Sequence, residues 1–112
     1  MAEIRKINSL DEFNEFIKES ENGKTSVLKI GSSWCGPCRT LEQTIRELAP
    51  NEVEGIMLAE VDADDEWFED KLGELRVRGI PVMIAFKNGE ETGRVQGGLA
   101  KSDLIIFFEE NK

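Results

Sequence analysis

The segment Trp34-Cys35-Gly36-Pro37-Cys38 constrains this chain more than any other stretch. It follows an apolar run from Ser26 to Gly31, interrupted by Lys29, and it leads into a run that carries Leu41, Ile45 and Leu48. The first run reads as a buried strand, and the second, with apolar residues three and four apart, as one face of a helix. Two thiols therefore stand at a strand-to-helix junction. Cys35 is expected at the helix cap, partly exposed, and Cys38 within the first turn, more buried. A cysteine at a helix N-terminus faces free backbone N–H groups and the positive end of the helix dipole, and both favour thiolate over thiol. Pro37 suits the first turn, where its missing N–H costs no intrahelical bond, and it stiffens the short ring between the thiols. Gly36 lets another chain approach closely. The residues thus point to Cys35 as a nucleophile and to Cys38 as the thiol that resolves a mixed disulfide by attacking Cys35.

Other uses of two cysteines fit less well. The chain has no further cysteine and no histidine. A Cys-x-x-Cys pair is half of a zinc site, and the other half is missing, so no metal is expected. The absence of histidine also excludes Ser-His and Cys-His nucleophile pairs. A purely structural disulfide across two intervening residues closes a loop too small to add much stability.

Length and charge bound the rest. A chain of 112 residues, 39% of them hydrophobic, is enough for one domain over residues 1–112 and too short for two. The formal net charge of −9 argues against nucleic acid, whose phosphates call for clustered Lys and Arg, and against anionic membrane surfaces. No run approaches the roughly 18 apolar residues of a membrane span. Behind Met-Ala-Glu-Ile-Arg-Lys there is no apolar stretch of the kind a signal peptide needs, and a cytoplasmic location is the expectation.

Along the chain, a short strand is expected around Glu3 to Ile7. Ser9-Leu10-Asp11-Glu12 reads as a capping box opening a helix with Leu10, Phe13, Phe16 and Ile17, and Asn22-Gly23 ends it. Pro50-Asn51 stops the helix that begins at the cysteines. Ile56 to Val61 reads as a strand, Asp65 to Leu75 as a helix, and Val82 to Phe86 as an apolar strand. Asn88-Gly89 signals a hairpin into an edge strand from Thr92 to Gln96. Gly97-Gly98 leads to a last helix with Leu104, Ile105, Phe107 and Phe108. Strands and helices in alternation, with one hairpin, predict an α/β fold with a mixed sheet between two helical layers.

Four blocks in this order resemble the thioredoxin family. They are Trp34-Cys35-Gly36-Pro37-Cys38, Val61-Asp62-Ala63-Asp64, Val77-Arg78-Gly79-Ile80-Pro81 and Phe86-Lys87-Asn88-Gly89-Glu90, and the resemblance runs from about Ile4 to Glu110. It implies the thioredoxin fold, a central mixed sheet of about five strands flanked by about four helices. It implies a protein-disulfide reductase that acts through reversible Cys35–Cys38 dithiol/disulfide exchange and needs no bound cofactor. Disulfide-containing proteins would be the substrates. A thioredoxin reductase-like, flavin-dependent enzyme would be the electron donor, and the chain would be a monomer serving electron transport and cell redox homeostasis. The resemblance further implies a cis Ile80–Pro81 bond beside the dithiol, with the backbone of Ile80 offered to an incoming peptide as to an added strand. Trp34 and Gly97 would flank that groove. Two other readings stay open: a non-catalytic module that binds partners around Pro81, and a disulfide isomerase or oxidase.

The chain also departs from the family pattern. Lys29 stands six residues before Cys35, where the family usually carries a buried Asp that takes the proton of the resolving thiol. Glu60 stands where the family usually carries a Lys. The two are expected to meet beneath the dithiol as a charge-reversed pair and are the proton-transfer candidates. Gly31 replaces an aromatic residue, which is expected to thin the packing near the site. Val82, in place of the usual Thr after the cis proline, is expected to be neutral. The stretch between Asp64 and Pro81 is about two residues longer than the family pattern, near Leu72-Gly73-Glu74-Leu75.

Overall fold

The computed structural model describes residues 3–112. Strand β1 (Arg5–Lys6) and helix α1 (Leu10–Glu19) precede β2 (Thr25–Gly31), α2 (Gly36–Arg46), β3 (Ile56–Asp62), α3 (Glu69–Glu74), β4 (Val82–Lys87), β5 (Glu90–Gln96) and α4 (Lys101–Asn111). The five strands form one mixed sheet in the order β1-β3-β2-β4-β5. The fully buried β2 lies at its centre, parallel to β3 and antiparallel to β4. Both its flanks are paired, and each of its faces is covered by helices, so it reads as a nearly unbroken apolar run.

Alternation along the strands separates two cores. Val27 of β2, Leu58 of β3, and Met83 and Ala85 of β4 pack against Leu41 and Ile45 of α2 and Leu104, Phe107 and Phe108 of α4. Leu28, Ile30, Ala59, Val61, Val82, Ile84 and Phe86 face the other way, onto Phe13 and Phe16 of α1 and Phe68 before α3. Buried hydroxyls in β2 find partners at once: Thr25 donates to the carbonyl of Asn111 at 2.8 Å and Ser26 to that of Phe16 at 3.1 Å. An unmade bond at either position would cost about 1–3 kcal/mol.

Most boundaries match the sequence pattern, and the exceptions have local causes. Ser9 caps α1, its hydroxyl accepting from the N–H of Glu12, but the Glu12 carboxylate reaches the N–H of Asn8 rather than of Ser9, so the capping box is offset by one residue. Leu10 stays exposed at the start of α1. The helix expected from Asp65 to Leu75 is split. A 3-10 turn over Glu66–Phe68 comes first, then the short α3, and Arg76 follows at φ 56°. Helix α2 ends at Arg46, well before Pro50, which instead opens a separate 3-10 turn. Asn88 and Gly89 both have positive φ, the turn that matches strand twist, and β5 begins directly at Glu90.

Candidate active site

Cys35 is the N-cap residue of α2, and its sulfur accepts a hydrogen bond from the N–H of Cys38 at 3.2 Å. The two cysteines form a disulfide with Cα atoms 5.2 Å apart. Gly36 and Pro37 occupy the first turn, where Pro37 replaces an N–H that has no partner inside the helix. Among the described residues nothing stands within 4 Å of where a Gly36 side chain would begin, so the outer side of the motif is open. Cys35 is less exposed than expected: it is 6% accessible and Cys38 3%. The turn that carries Ile80 lies against it, with the Ile80 carbonyl oxygen 3.9 Å from its sulfur.

The Ile80–Pro81 bond is cis. The Ile80 carbonyl oxygen lies 3.9 Å from the Cys35 sulfur, a contact rather than a hydrogen bond, because a disulfide sulfur carries no proton. Gly97, at φ 97°, donates its N–H to the Pro81 carbonyl at 3.0 Å. Trp34 is 67% exposed, yet its ring is fixed: the indole N–H donates to Asp64 at 2.7 Å, and the Asp64 N–H donates to Asp62 at 2.8 Å. Trp34, Cys35, Ile80, Pro81 and Gly97 are therefore brought to one rim of the molecule.

Beneath the dithiol, Lys29 is 6% exposed, and its ammonium lies 3.2 Å from Glu60 on β3. The two residues sit side by side in the parallel β2–β3 register. The charge-reversed pair thus forms as the sequence suggested. It has a third member that the sequence reading missed. Glu42 of α2 stands 3.8 Å from the Lys29 ammonium through one carboxylate oxygen and takes Arg46 at 2.8 Å through the other. The Arg46 hydrogen bond, opposed by partial burial and helped by the Lys29 charge, holds the Glu42 carboxyl below the usual carboxylate range. Glu42 lies four residues after Cys38, on the same face of α2, and that spacing was the available signal.

Gly31 corrects a second expectation. The site is not thinly packed there. A Cβ on Gly31 would stand 3.1 Å from the Cys38 sulfur and 3.8 Å from Lys29 Cε, so sulfur and lysine stem fill the space a larger residue would need. Gly98 was also missed: a Cβ there would meet the Pro37 carbonyl at 3.2 Å, so its lack of a side chain lets the last loop close on the start of α2.

The thioredoxin family model matches residues 5–110. The chain belongs to the thioredoxin family. It is 33% identical to the H-type thioredoxin of Fagopyrum esculentum, over 94% of this chain and 87% of that one. It is 32% identical to a thioredoxin of Chlamydia caviae, over 95% of this chain and 97% of that one. Among solved structures it superposes on Fasciola hepatica thioredoxin with a TM-score of 0.83 and 26% identity, covering 97% of this chain and all (100%) of that one. Family membership and a Cys35–Cys38 pair at disulfide distance make the chain a thiol–disulfide oxidoreductase that acts on protein disulfides.

Proposed function

We propose that the chain is a protein-disulfide reductase in which Cys35 is the nucleophile and Cys38 the resolving thiol. One observation carries the assignment: Cys35 caps α2 and faces the Ile80 carbonyl across the rim, whereas Cys38 lies inside the first turn against Gly31. In the reduced protein the Cys35 thiolate attacks a substrate disulfide, one substrate sulfur leaves as a thiolate, and a mixed disulfide forms. Cys38, deprotonated in its turn, attacks the Cys35 sulfur. The bond between Cys35 and the substrate breaks, and the second substrate sulfur departs with the electron pair and takes up a proton. Two electrons have then passed to the substrate, and Cys35–Cys38 is oxidised.

The groove formed by Trp34, Ile80, Pro81 and Gly97 receives the substrate as an extended segment beside Ile80. Asp64 anchors the Trp34 ring by accepting its indole N–H. Gly36 and Pro37 keep the ring between the thiols short and stiff. Lys29 and Glu60 handle the charge and proton of Cys38 from below. Electrons enter from a thioredoxin reductase-like, flavin-dependent enzyme. We assign the chain to the cytoplasm as a single-domain monomer over residues 1–112, engaged in electron transport and cell redox homeostasis, without nucleic acid or membrane as partner. Two features suit that assignment: the net charge of −9, and a cysteine content entirely committed to the redox pair.

The test is reduction of insulin disulfides by the purified protein with dithiothreitol as donor. Rapid turnover that Cys35→Ser abolishes supports the assignment. Turnover that survives in Cys35→Ser removes it.

A further inference from the structure

Behind the dithiol the surface opens into a cleft of about 230 Å³ whose lining includes Lys6, Lys29, Ser32, Glu42, Glu60 and Asp62. We propose that Lys29 acts on Cys38 as a fixed positive charge that stabilises its thiolate, and that Glu42 is the positioning residue that sets how strongly that charge is felt. This rests on the assignment of Cys38 as the resolving thiol.

Three observations support it. The position a Gly31 Cβ would take is 3.1 Å from the Cys38 sulfur and 3.8 Å from Lys29 Cε, so the absent side chain lets the lysine stem and the sulfur share that space. Lys29 is buried, and burying a charge is costly unless opposite charge compensates the lost hydration. Glu60 and Glu42 supply that compensation from two different elements. Finally, Glu42 divides its carboxylate between Lys29 and Arg46, so its hold on Lys29 is partial. A residue that pulled Lys29 wholly toward a carboxylate would cancel its field at the sulfur, and one that released it would leave an uncompensated buried charge.

The chemistry differs from proton abstraction by a carboxylate. An ammonium has no lone pair and accepts no proton. It lowers the free energy of the thiolate instead, and the Cys38 proton leaves through water in the cleft. The Ser32 hydroxyl, buried without a partner among the described residues, is suited to bind such a water. The charged groups around the ammonium are Glu42 and Arg46 from α2, Glu60 and Asp62 from β3, and Lys6 from β1. The stabilised thiolate also favours the reduced state over the disulfide.

The test isolates Cys38. In a Cys35→Ala background it is the sole thiol, and its rate of alkylation by iodoacetamide against pH reports thiolate directly. Lys29→Met, of similar length and uncharged, is expected to lower that rate at neutral pH on the order of tenfold and to move the profile to higher pH. Glu42→Gln is expected to raise the rate and to move the profile to lower pH. With both cysteines restored, Lys29→Met is expected to hold more disulfide than the parent at the same glutathione ratio. An unchanged or faster alkylation in folded Lys29→Met, or less disulfide in the glutathione equilibrium, overturns the proposal. Glu42→Gln lies on a partly exposed helix face, so its profile decides the matter if Lys29→Met does not fold: a shift to higher pH, or none, overturns the proposal. Alkylation does not require turnover. Failure of the reductase assignment would therefore appear separately, as absent insulin reduction beside an intact, Lys29-dependent profile.

Discussion

The two faces of the sheet are built differently. On the side of α1 and α3, β2 presents Leu28 and Ile30, β3 Ala59 and Val61, and β4 Val82, Ile84 and Phe86, a layer that is apolar but for the Ser26 hydroxyl bonded to the Phe16 carbonyl. On the side of α2 and α4, β4 stays apolar with Met83 and Ala85, whereas β2 and β3 pass from Val27 and Leu58 to charged residues toward the dithiol. There β2 turns Lys29 inward, β3 turns Glu60, and α2 answers with Glu42. One face stabilises the fold mainly by apolar burial. The other gives up part of its apolar layer to hold three charges where the cysteines work. A buried ion pair contributes little net stability, because the cost of dehydrating the charges offsets most of their attraction. Its presence at this end and not at the other fits the proposed role beside Cys38 rather than a need of folding.

The largest effect should come from the rim itself. Cys35→Ser is expected to abolish disulfide reduction while leaving the folded state intact by circular dichroism, since the hydroxyl is a near match in size. A protein that loses its fold with the activity would break the separation between core and site. Next comes the apolar face. Phe16→Ala should cost about 3–5 kcal/mol, because Phe16 is fully buried and its loss leaves a cavity. Denaturant unfolding reads this, and insulin reduction by the fraction still folded should be unchanged.

The charged face should respond in the opposite sense. Replacing the pair together, Lys29→Leu with Glu60→Leu, is expected to leave stability unchanged or to raise it by about 1–4 kcal/mol, with slower resolution of mixed disulfides. A large loss of stability in that double variant would show that the charges hold the fold. Ser9→Ala, which removes the cap of α1, should cost about 1 kcal/mol and leave turnover alone.

The smallest effect is a pH dependence. Glu42 has its carboxyl held below the ordinary range by Arg46, so the folded state favours its ionised form. The stability this gives is present above the unfolded-state carboxylate range and is lost as pH falls through the lower folded-state value. Glu42→Gln should flatten that part of the acid limb in pH-dependent unfolding, and only slightly, because Glu42 is partly exposed and screened.

Much of this was legible in the residues. The strand-to-helix step at Cys35, the helices marked by Phe13 and Phe16 or by Leu41 and Ile45, and the Asn88-Gly89 hairpin all follow from local periodicity and turn chemistry. Lys29 and Glu60 could be paired from two motif positions because parallel neighbours in adjacent strands share one face. Glu42 was harder, since helical spacing from Cys38 says which face it shares but not what lies opposite. The role of Gly31 ran against expectation, because an absent side chain reads as missing packing until its neighbours are placed.

The sequence by itself determined the order of elements, the position of the thiols at a helix cap and the choice of family. These depend on interactions within a few residues, or on motifs whose spacing leaves few alternatives. The tertiary structure alone decided how far Cys35 is covered, that Gly98 closes on Pro37, and that Lys29 is held by two carboxylates, one of them shared with Arg46. Each of these joins elements far apart in the chain. The physical reason is that burial and electrostatic coupling depend on the distance between side chains in space, and only the packing of α2 and the last loop against the sheet sets those distances.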